Sequence, residues 1–465
     1  MNVRSRCRGW LAGVVLWGLL PAAWLPAAAP AAEKPSVIVI LADDLGYADL
    51  GFQGAKDIPT PHLDRLAREG VRSTSGYVSH PFCSPTRAGL MTGRYQQRFG
   101  HENNPRYDPK DEKLGLPLEQ VTFAQVMRSA GYATGAVGKW HLGATPRLHP
   151  MKRGFDEYFG LIGGGHDYFK AGPPGETREY LIPLQRDGQP VVEEEYLTEA
   201  LSREAVAFVR RHCQQHFFLY LAYNAPHTPL QVPERYLGRV AGIEDPTRRA
   251  YAAMITAVDD GVGQLLAALG ELGLERRTLV FFLSDNGGPT SVTHSSNAPL
   301  RGQKGSVLEG GIRVPLVVRW TGHLPSGKVY PQPVICLDIL PTAAAAGGAP
   351  LPGDRTLDGV NLLPYLRGEV QSPPHEFLFW RAGSGQAYAV RHGRYKLVKT
   401  GKEPAQLFDL ETDIGESKDL AAAEPERAAA LAQKYAEWNA GLVPPLWENP
   451  RPAAKAPKKQ ARAKR

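Results

Sequence analysis

Acidic, basic and histidine side chains follow four short apolar runs of the chain, at the point where each run ends. They are Asp43 and Asp44, Lys139 and His141, His227, and Asp285 and Asn286. Any one of these residues has an ordinary alternative role as a helix cap or a loop residue. However, the carboxyl ends of parallel strands meet at one edge of an open α/β sheet, where ligands bind. The four sets together therefore predict a single site.

Oxygen ligands dominate the acidic part of this set, which contains three carboxylates and one amide. The predicted metal ligands are Asp43, Asp44, Asp285 and Asn286. No pair of cysteine and histidine accompanies them at the spacing of a zinc site, so the pattern favours Ca²⁺ or Mg²⁺ over Zn²⁺. A divalent ion there would polarise an anionic ester and lower the pKa of a coordinated hydroxyl. The groups available for positive charge and proton transfer are Lys139, His141, His227 and Lys304.

Short apolar runs alternate with amphipathic helices through most of the chain. This pattern predicts a mainly parallel sheet with helices on both faces. The predicted strands are Ser36–Leu41, Ala133–Val137, Phe217–Tyr223, Leu279–Leu283 and Pro315–Val318. The predicted helices are Thr60–Glu69, with Thr60 as its cap, Phe123–Ala130 and Tyr251–Leu272.

The pattern of apolar and polar residues changes after the Pro- and Gly-rich stretch Ala349–Gly359. Short alternating segments follow, which predict a small antiparallel sheet. Its predicted strands are Glu376–Arg381, Ala387–Val390 and Tyr395–Lys399, and a final helix, about Pro425–Asn439, is expected to pack on it.

The charge of the chain is concentrated at its two ends. At 465 residues the chain exceeds the usual size of one domain, which predicts a large core with a smaller appended domain. The formal charge of +7 becomes −3 once three arginines in residues 1–32 and seven basic residues in 451–465 are set aside. A near-neutral core does not favour nucleic acid as a partner, and the basic tail is predicted to be disordered. Its alternative role is loose attachment to an anionic polymer or membrane.

The first 32 residues carry three arginines, then the apolar run Trp10–Leu25, then small residues. This order predicts a cleaved secretory signal and an exported protein, periplasmic or secreted. The alternative, an uncleaved membrane anchor, is disfavoured because the run is short and is broken by Pro21 and Pro26. No later segment offers a continuous apolar stretch of membrane-spanning length, so we expect no transmembrane segment in the mature chain.

Three cysteines remain once Cys7 leaves with the predicted signal. An odd number in an exported protein leaves at least one thiol with another fate. Cys213 and Cys336 stand in helical or apolar contexts and are predicted to be packing residues, and the sequence does not fix whether they pair. The neighbours of Cys83 single out that residue.

Residues 83–94 read Cys-Ser-Pro-Thr-Arg-Ala-Gly-Leu-Met-Thr-Gly-Arg. The stretch resembles the signature of the sulfatases of the alkaline-phosphatase superfamily, Cys-x-Pro-x-Arg followed by Thr-Gly. In that family a formylglycine-generating enzyme oxidises the cysteine to formylglycine, and the hydrated aldehyde supplies the nucleophilic hydroxyl. The commoner family sequence has serine where this chain has Thr86, and the change retains a hydroxyl.

The resemblance extends from Val37 to about Asp419, well beyond one motif. The matching segments are Leu41–Gly46 and Leu283–Gly287 for the metal, Gly138–Gly143, Ala225–Pro229 and Gly302–Gly305 for the sulfate, and Leu407–Leu410 for the C-terminal domain. It implies an alkaline-phosphatase-like fold whose helices sandwich the sheet. The expected divisions are a signal at 1–32, a catalytic domain at 33–355, a small α+β subdomain at 356–447 and a tail at 448–465.

The resemblance also assigns roles to the polar residues. It implies one calcium ion per chain, held by Asp43, Asp44, Cys83 in its modified form, Asp285 and Asn286. Arg87 and Lys139 would steady the hydrate, while Lys304 and His227 would contact the sulfate. His141 is the candidate base for sulfate release, and His227 or Lys304 the candidate acid for the departing alcohol. The two histidines could exchange roles.

The activity that the resemblance implies is hydrolysis of sulfate esters, with a sulfated saccharide as the expected substrate. One alternative is a phosphate or phosphonate ester hydrolase of the same superfamily. Another is a catalytically silent glycan-binding protein, should Cys83 remain a thiol. Three polar loops are either substrate contacts or simple turns: Gly163–Asp167, His101–Arg106 and His294–Asn297.

Overall fold

A large sheet with helices on both faces, a separate small sheet of four strands and a sheet of two short strands are found in the computed structural model, which describes residues 34–448. In chain order the strands are β1 (Ser36–Ala42), β2 (Val71–Ser73), β3 (Gly76–Tyr77), β4 (Ala133–Lys139), β5 (Glu157–Leu161), β6 (Leu184–Arg186), β7 (Gln189–Val191), β8 (Phe217–Ala222), β9 (Thr278–Ser284), β10 (Leu316–Arg319), β11 (Lys328–Tyr330), β12 (Val334–Ile335), β13 (Phe377–Ala382), β14 (Ala387–His392), β15 (Tyr395–Thr400) and β16 (Gln406–Asp409). The α-helices are α1 (Pro61–Glu69), α2 (Cys83–Thr92), α3 (Phe123–Ser129), α4 (Leu197–Arg211), α5 (Glu234–Leu237), α6 (Pro246–Glu271), α7 (Thr290–Thr293), α8 (Glu309–Ile312), α9 (Ile339–Gly347), α10 (Leu363–Arg367) and α11 (Pro425–Ala440).

The large sheet has ten strands in the order β11-β2-β10-β9-β1-β8-β4-β5-β6-β7. Strand β1 lies at its centre and pairs in parallel with β8 and β9, with Ile38 opposite Leu219 and Val280. Every residue of β1 is buried, which explains its unbroken apolar sequence. The predicted strands are confirmed, and the sheet is mainly parallel, although β10 runs antiparallel to β9.

Helices cover both faces of this sheet, and the two faces of β1 lie in different cores. Val37 and Val39 pack with residues of α2, α3 and α9. Ile38 and Ile40 pack with residues of α1, α4 and α6 on the opposite face. This alternation follows from the two-residue period of a strand and confirms the predicted sandwich.

Helix α6 is the one helix in the described part of the chain that has the length and composition of a membrane span. Its most apolar window is 78% buried inside the protein, and Asp259 and Asp260 interrupt it. Contacts with α1, α4 and α5 account for its apolar character, so we interpret α6 as a core helix.

The prediction of Thr60 as the cap of α1 is confirmed in position, although its side chain makes no capping hydrogen bond. Thr60 occupies the cap position, but its hydroxyl accepts from the amide of Gly51 at 2.8 Å. The free amides of His62 and Leu63 instead donate to the Asp259 carboxylate of α6, at 3.2 and 2.8 Å. Helix α1 is therefore capped by a residue almost 200 positions away in sequence.

The small sheet is antiparallel, with the order β13-β14-β15-β16, and α11 packs on it. Val390, Leu397 and Leu407 of the sheet meet Leu431 and Tyr435 of the helix. The predicted C-terminal α+β unit is thus present, with one strand more than the three expected. Its boundary at residue 355 stays a prediction, and the predicted signal at 1–32 and all of the basic tail after Glu448 lie outside the described residues.

The three described cysteines are all free thiols. Cys336 is buried in the core that also contains residues of α2. Cys213 is half-buried just after the end of α4. Neither forms a disulfide with the other, which agrees with their predicted role as packing residues.

A buried ion-pair network joins the small sheet to helix α8. Lys396 of β15 places its Nζ 2.8 Å from Glu309 Oε1 of α8 and 2.9 Å from Glu416 Oε1. Glu416 also accepts from the backbone amide of Glu309 at 2.8 Å, and Tyr77 donates to the Glu309 carboxylate at 2.6 Å. All three charged side chains are fully buried, so each depends on the others for its charge.

Replacing Lys396 with methionine is expected to lower the free energy of unfolding by about 3–5 kcal/mol, because two buried carboxylates lose their shared cation. Urea unfolding followed by circular dichroism measures the change. The matched control is Lys402→Met on the exposed turn after β15, expected to stay within about 0.5 kcal/mol. A loss at Lys396 below about 1 kcal/mol would contradict this description of the network.

Candidate active site

The carboxyl ends of four adjacent strands bring the predicted residues together. Strands β9, β1, β8 and β4 are neighbours in that order. Strand β1 leads into the two aspartates, β9 into Asp285 and Asn286, and β8 into the loop with His227, while Lys139 is the last residue of β4. The carboxylates, the amide and Lys139 are fully buried or nearly so. The structure thus places these residues together at one edge of the sheet, and their function as one site stays a prediction.

Helix α2 places Cys83 at the same edge, because Cys83 is its first residue. Pro85 fits in this first turn since its missing amide proton would have no partner within the helix. The amide of Ser84 is satisfied by Asn104 Oδ1 at 3.0 Å, and the hydroxyl of Thr86 donates to the carbonyl of His80 at 2.7 Å. The hydroxyl at position 86 thus anchors the loop before the helix, which threonine does as serine would.

Arg87 follows Cys83 by one helical turn and therefore faces the same edge. Its guanidinium donates to Asp285 Oδ2 from Nε at 3.0 Å and from Nη2 at 2.7 Å. Further bonds run to Asp43 Oδ2 at 3.2 Å and to the carbonyl of Lys139 at 2.9 Å. Although burial opposes the charge, these neighbours raise the pKa of Arg87, so it remains a cation that holds the acidic edge together.

Four potential ligand groups converge beside Arg87. Atoms of Asp43, Asp44, Asp285 and Cys83 all lie within 4.8 Å of one another, and all four residues are buried. The thiol of Cys83 lies 3.5 Å from Asp43 Oδ1. Asp44 adopts the left-handed backbone region, with φ of 66°, and its amide donates to Asp285 Oδ1 at 3.3 Å. Such a conformation in a non-glycine residue is characteristic of a functional site.

Lysines neutralise the two adjacent aspartates. Lys304 Nζ lies 2.6 Å from Asp44 Oδ1, and Lys139 contacts Asp43. Burial alone would raise the pKa of Asp43, but the neighbouring groups Lys139, His227 and Arg87 together outweigh it and the pKa is lowered. Burial likewise opposes ionisation of Asp44, and Lys304 likewise holds the pKa of that carboxyl below its usual value. Both aspartates are therefore ionised at neutral pH.

The donor set fits a hard cation. Asn286 donates from Nδ2 to Asp44 Oδ1 at 2.7 Å, while its buried Oδ1 has no partner among residues 34–448. A half-turn of the amide exchanges these two atoms and would direct the oxygen toward the carboxylates. Three carboxylates and one amide oxygen then form an oxygen-only ligand set, as Ca²⁺ prefers.

The two histidines at the site differ in their hydrogen bonding. His227 Nδ1 lies 2.7 Å from the carbonyl of Thr228, so this nitrogen carries a proton, and Nε2 lies 3.7 Å from Asp44 Oδ2. His141 has φ of 58°, and its buried Nδ1 has no partner among the described residues. Burial lowers the pKa of His227 and places the pKa of His141 well below its usual value. Both rings are neutral at neutral pH.

A cleft of about 260 Å³ leads to Cys83. Its lining residues are Cys83, Asn104, Pro105, Arg106, His141, Gly164, Glu179, Tyr180 and His227. Sequence patterns did not single out Glu179 and Tyr180. They belong to a stretch without hydrophobic periodicity, so no signal in the sequence marked them.

The three polar loops predicted as substrate contacts or simple turns differ in their position relative to the cleft. Loop 101–106 lines the cleft with Asn104 and Arg106, and loop 163–167 does so with Gly164. His166 and Asp167 bond instead to their own loop and to its neighbours, as in a turn. Loop 294–297 is not part of the lining, and Asn297 braces the amides of Tyr47 and Gly288 at 3.3 and 3.0 Å.

Fold and site together define a hydrolytic enzyme of the alkaline-phosphatase-like α/β class. The family model described as Sulfatase matches residues 35–349. The chain therefore belongs to the sulfatase family, and as a member it is a sulfuric ester hydrolase, which confirms the resemblance found in the sequence.

Two relatives illustrate how far the similarity extends. The chain is 36% identical to N-acetylgalactosamine-6-sulfatase of Mus musculus, over 79% of this chain and 72% of that protein. It is 34% identical to steryl-sulfatase of Mus musculus, over 87% of this chain and 81% of that protein. The similarity thus extends beyond the 83–94 motif in both cases.

Solved structures agree with this family. The structure of Ps i-CgsB in complex with k-i-k-neocarrahexaose has a TM-score of 0.85 and 40% identity, covering 89% of this chain and 95% of that one. A phosphonate monoester hydrolase of Agrobacterium radiobacter has a TM-score of 0.66 at 22% identity, covering 88% of this chain and 96% of that one. The second similarity shows a shared fold alone.

Proposed function

We propose that the protein hydrolyses sulfate esters of saccharides, with a formylglycine hydrate made from Cys83 as its nucleophile and one calcium ion beside it. The observation that carries this proposal is the convergence of the Cys83 thiol with Asp43, Asp44 and Asp285 within 4.8 Å. Burial, together with the charges of Asp285 and Asp43, raises the pKa of the Cys83 thiol. A thiol that stays protonated is a poor nucleophile, so unmodified Cys83 is not suited to attack sulfur itself.

Calcium would be held by Asp43, Asp44, Asp285, Asn286 and modified residue 83. Its charge would orient a hydroxyl of the hydrate and stabilise negative charge on the sulfuryl group. The hydrate supplies two hydroxyls, one to form the bond to sulfur and one whose deprotonation expels sulfate and restores the aldehyde. No water need then attack sulfur, and a formylglycine-generating enzyme is the maturation partner that this chemistry requires.

The side chains of this chain supply charge and proton transfer around the nucleophile. Arg87 and Lys139 steady residue 83 through the carboxylates that they contact. Nearby carboxylates outweigh burial and raise the pKa of Lys304 well above its usual value, so it presents a fixed positive charge to the sulfuryl oxygens. His227 is neutral with its proton on Nδ1, so its Nε2 can accept but cannot donate a proton, and the acid for the departing alcohol is Lys304, which keeps its proton until the alkoxide forms. His141, kept neutral by burial, is the base for sulfate release.

Sulfated saccharides are the substrate class that the relatives support. One relative is named for a sulfated amino sugar, and a similar structure contains a carrageenan hexasaccharide. The cleft provides hydroxyl, amide and guanidinium donors, from Tyr180, Asn104 and Arg106, together with the carboxylate of Glu179, the mixture that sugar hydroxyls require. We further propose export through the 1–32 signal and a catalytic domain at 33–355 with a C-terminal subdomain at 356–447.

Steady-state kinetics on three matched esters test the proposed function. We expect kcat/KM for 4-nitrophenyl sulfate to exceed that for 4-nitrophenyl phosphate and for a phenylphosphonate ester by at least about 100-fold. Preference for either phosphorus ester would favour a phosphate or phosphonate ester hydrolase. Failure to cleave any of the three, by native-host protein in which Cys83 is found as a thiol, would favour a silent glycan-binding protein.

Gly164 is expected to be intolerant of a side chain because of its position beside His141. A Cβ there would lie 2.8 Å from His141 Nε2 and 2.8 Å from Glu179 Oε1, so both side chains would have to move. We expect Gly164→Ala to lower kcat for 4-nitrophenyl sulfate about 10- to 100-fold with little change in thermal midpoint. Gly163→Ala, whose nearest neighbour is Ile182 Cδ1 at 3.2 Å, is the control and should retain activity. Equal activities of the two variants would remove His141 from the mechanism.

A further inference from the structure

A second cavity, of about 280 Å³, adjoins the cleft that leads to Cys83. Its lining residues are Asn104, Arg106, Leu114, Trp447 and Glu448. Asn104 and Arg106 also line the cleft, so the two spaces share a wall. A molecule that fills the cleft can therefore continue into the second cavity, along a wall built from loop 101–106.

The C-terminal segment 443–448 is fixed beside this loop by backbone hydrogen bonds. The amide of Leu446 donates to the carbonyl of Gly100 at 2.9 Å, and that of Val443 donates to the carbonyl of Gln97 at 3.2 Å. The side chain of Asn103 donates to the carbonyl of Trp447 at 2.7 Å. These bonds place Trp447 next to the loop, although the segment lies outside any helix or strand.

Glycine at position 100 permits this close approach. Gly100 has φ of 74°, and a Cβ on it would lie 2.7 Å from the carbonyl oxygen of Pro444 and 3.0 Å from Leu446 Cγ. Any other residue would push the segment away and widen the cavity. The wall that carries Trp447 is therefore a specific feature of the fold, not a loose chain end resting on the surface.

The chemistry of the cavity suits a sugar ring with a negative substituent. Trp447 is half-buried and packs edge-on against the buried ring of His101, with centroids 4.8 Å apart, which fixes the plane of the indole. Flat aromatic surfaces accept the apolar C–H face of a pyranose. Arg106 and Glu448, both exposed, supply a guanidinium for sulfate or carboxylate and an acceptor for hydroxyls.

Asn104 links the two spaces chemically as well as spatially. Its Oδ1 accepts from the amide of Ser84, the residue after Cys83, at 3.0 Å. This bond leaves the NH₂ group of Asn104 as the donor available to a ligand at the junction. A saccharide that crosses the junction would thus meet a donor there, Arg106 on the shared wall and Trp447 beyond it.

We infer that this cavity is a subsite for the saccharide unit adjacent to the one that carries the scissile sulfate. The unit lies on Trp447, and its anionic substituent, sulfate or carboxylate, pairs with Arg106. This inference rests on the proposed function and narrows it, since the substrate must then be an oligosaccharide or polysaccharide and not a single sulfated sugar.

Kinetics on a short and a long substrate test the subsite. The short substrate is 4-nitrophenyl sulfate, and the long ones are a panel of sulfated oligosaccharides that includes k-i-k-neocarrahexaose. We expect Trp447→Ala and Arg106→Gln each to raise KM for the cleaved oligosaccharide about tenfold or more. Trp447→Ala should not change kcat/KM for 4-nitrophenyl sulfate by more than about twofold, because Trp447 does not line the cleft that leads to Cys83; Arg106 does line it, so Arg106→Gln is judged on the oligosaccharide alone. Trp447→Phe and Arg106→Lys should restore most of the oligosaccharide affinity.

The control is Leu446→Ala, which changes an exposed neighbour that does not line the cavity and should leave both substrates unaffected. Equal losses on both substrates would overturn the inference, because Trp447 would then act on the reacting groups through His101. Unchanged KM for the oligosaccharide would overturn it too, as would a wild-type enzyme that cleaves the aryl ester but no oligosaccharide in the panel. Cleavage of neither substrate would instead refute the proposed function itself.

Discussion

Replacing Cys83 with alanine is expected to abolish sulfate-ester hydrolysis, with kcat/KM for 4-nitrophenyl sulfate falling on the order of 10⁴-fold or more. The reason is that residue 83 would be the source of both hydroxyls used in catalysis. The fold should survive for two reasons. Among the described residues the thiol has one hydrogen-bond partner, Asp43 Oδ1 at 3.5 Å, and the substitution removes a single sulfur atom. Far-ultraviolet circular dichroism and the thermal midpoint check that the variant is folded.

The matched control for this change is Cys213→Ala, which removes a free thiol just after α4 that does not line the cleft. We expect its kcat/KM to stay within about twofold of the wild type. A Cys83→Ala enzyme that retains more than a tenth of the wild-type activity would show that residue 83 is not the nucleophile.

Loss of a metal ligand is the second change with a large expected effect. Asp44→Asn removes the carboxylate that contacts Lys304 and Asn286 while leaving the Arg87 pairs with Asp43 and Asp285 intact. We expect wild-type protein to bind one Ca²⁺ per chain in a calorimetric titration, and the variant to bind it at least about 100-fold more weakly. Calcium should raise the wild-type thermal midpoint and leave that of the variant nearly unchanged.

Asp57→Asn is the control for charge, because Asp57 is an exposed carboxylate in the same part of the chain, where it pairs with Arg248. Its calcium affinity and activity should match those of the wild type. Chelation of wild-type protein should remove activity that Ca²⁺ restores. Calcium binding by Asp44→Asn with wild-type affinity would contradict the assignment of this cluster as the metal site.

The central strands and their convergence were predictable because their physics is local. An unbroken apolar run such as Ser36–Ala42 can be satisfied only in a sheet covered on both faces, and the polar residue that ends the run must then lie at the sheet edge. Four such runs gave four strand ends, and adjacency in the sheet brought them together. The sequence therefore predicts which residues come together, but not the contacts between them.

The secondary structure of other parts of the site has no signal in the local sequence. Helix α2 has all ten residues buried, so it shows no alternation of polar and apolar faces, and Ser84, Pro85 and Gly89 weaken its helical propensity. Its form depends on surroundings such as Asn104 and the carbonyl of His80. The side-chain cap of α1 has the same long-range origin, because its acceptor is Asp259, far along the chain, and not the cap residue Thr60.

Long-range contacts also explain why the rim of the cleft was not predicted. Trp447 reaches loop 101–106 from 344 positions away in sequence, and Glu179 reaches the cleft from an irregular stretch. Neither residue stands in a motif or a periodic segment. Residues that determine substrate specificity are expected in such loops, because loop sequences vary more than the strands that position the reacting groups.

The state of residue 83 is the most direct test of the account. The measurement is the mass of the peptide that contains residue 83, from protein purified from its native host and digested under denaturing conditions. Formylglycine at residue 83 predicts a peptide lighter than the cysteine form by loss of H₂S and gain of one oxygen, as conversion of the thiol side chain to an aldehyde requires. A peptide found only with unmodified cysteine, in protein that nevertheless hydrolyses sulfate esters, would contradict it.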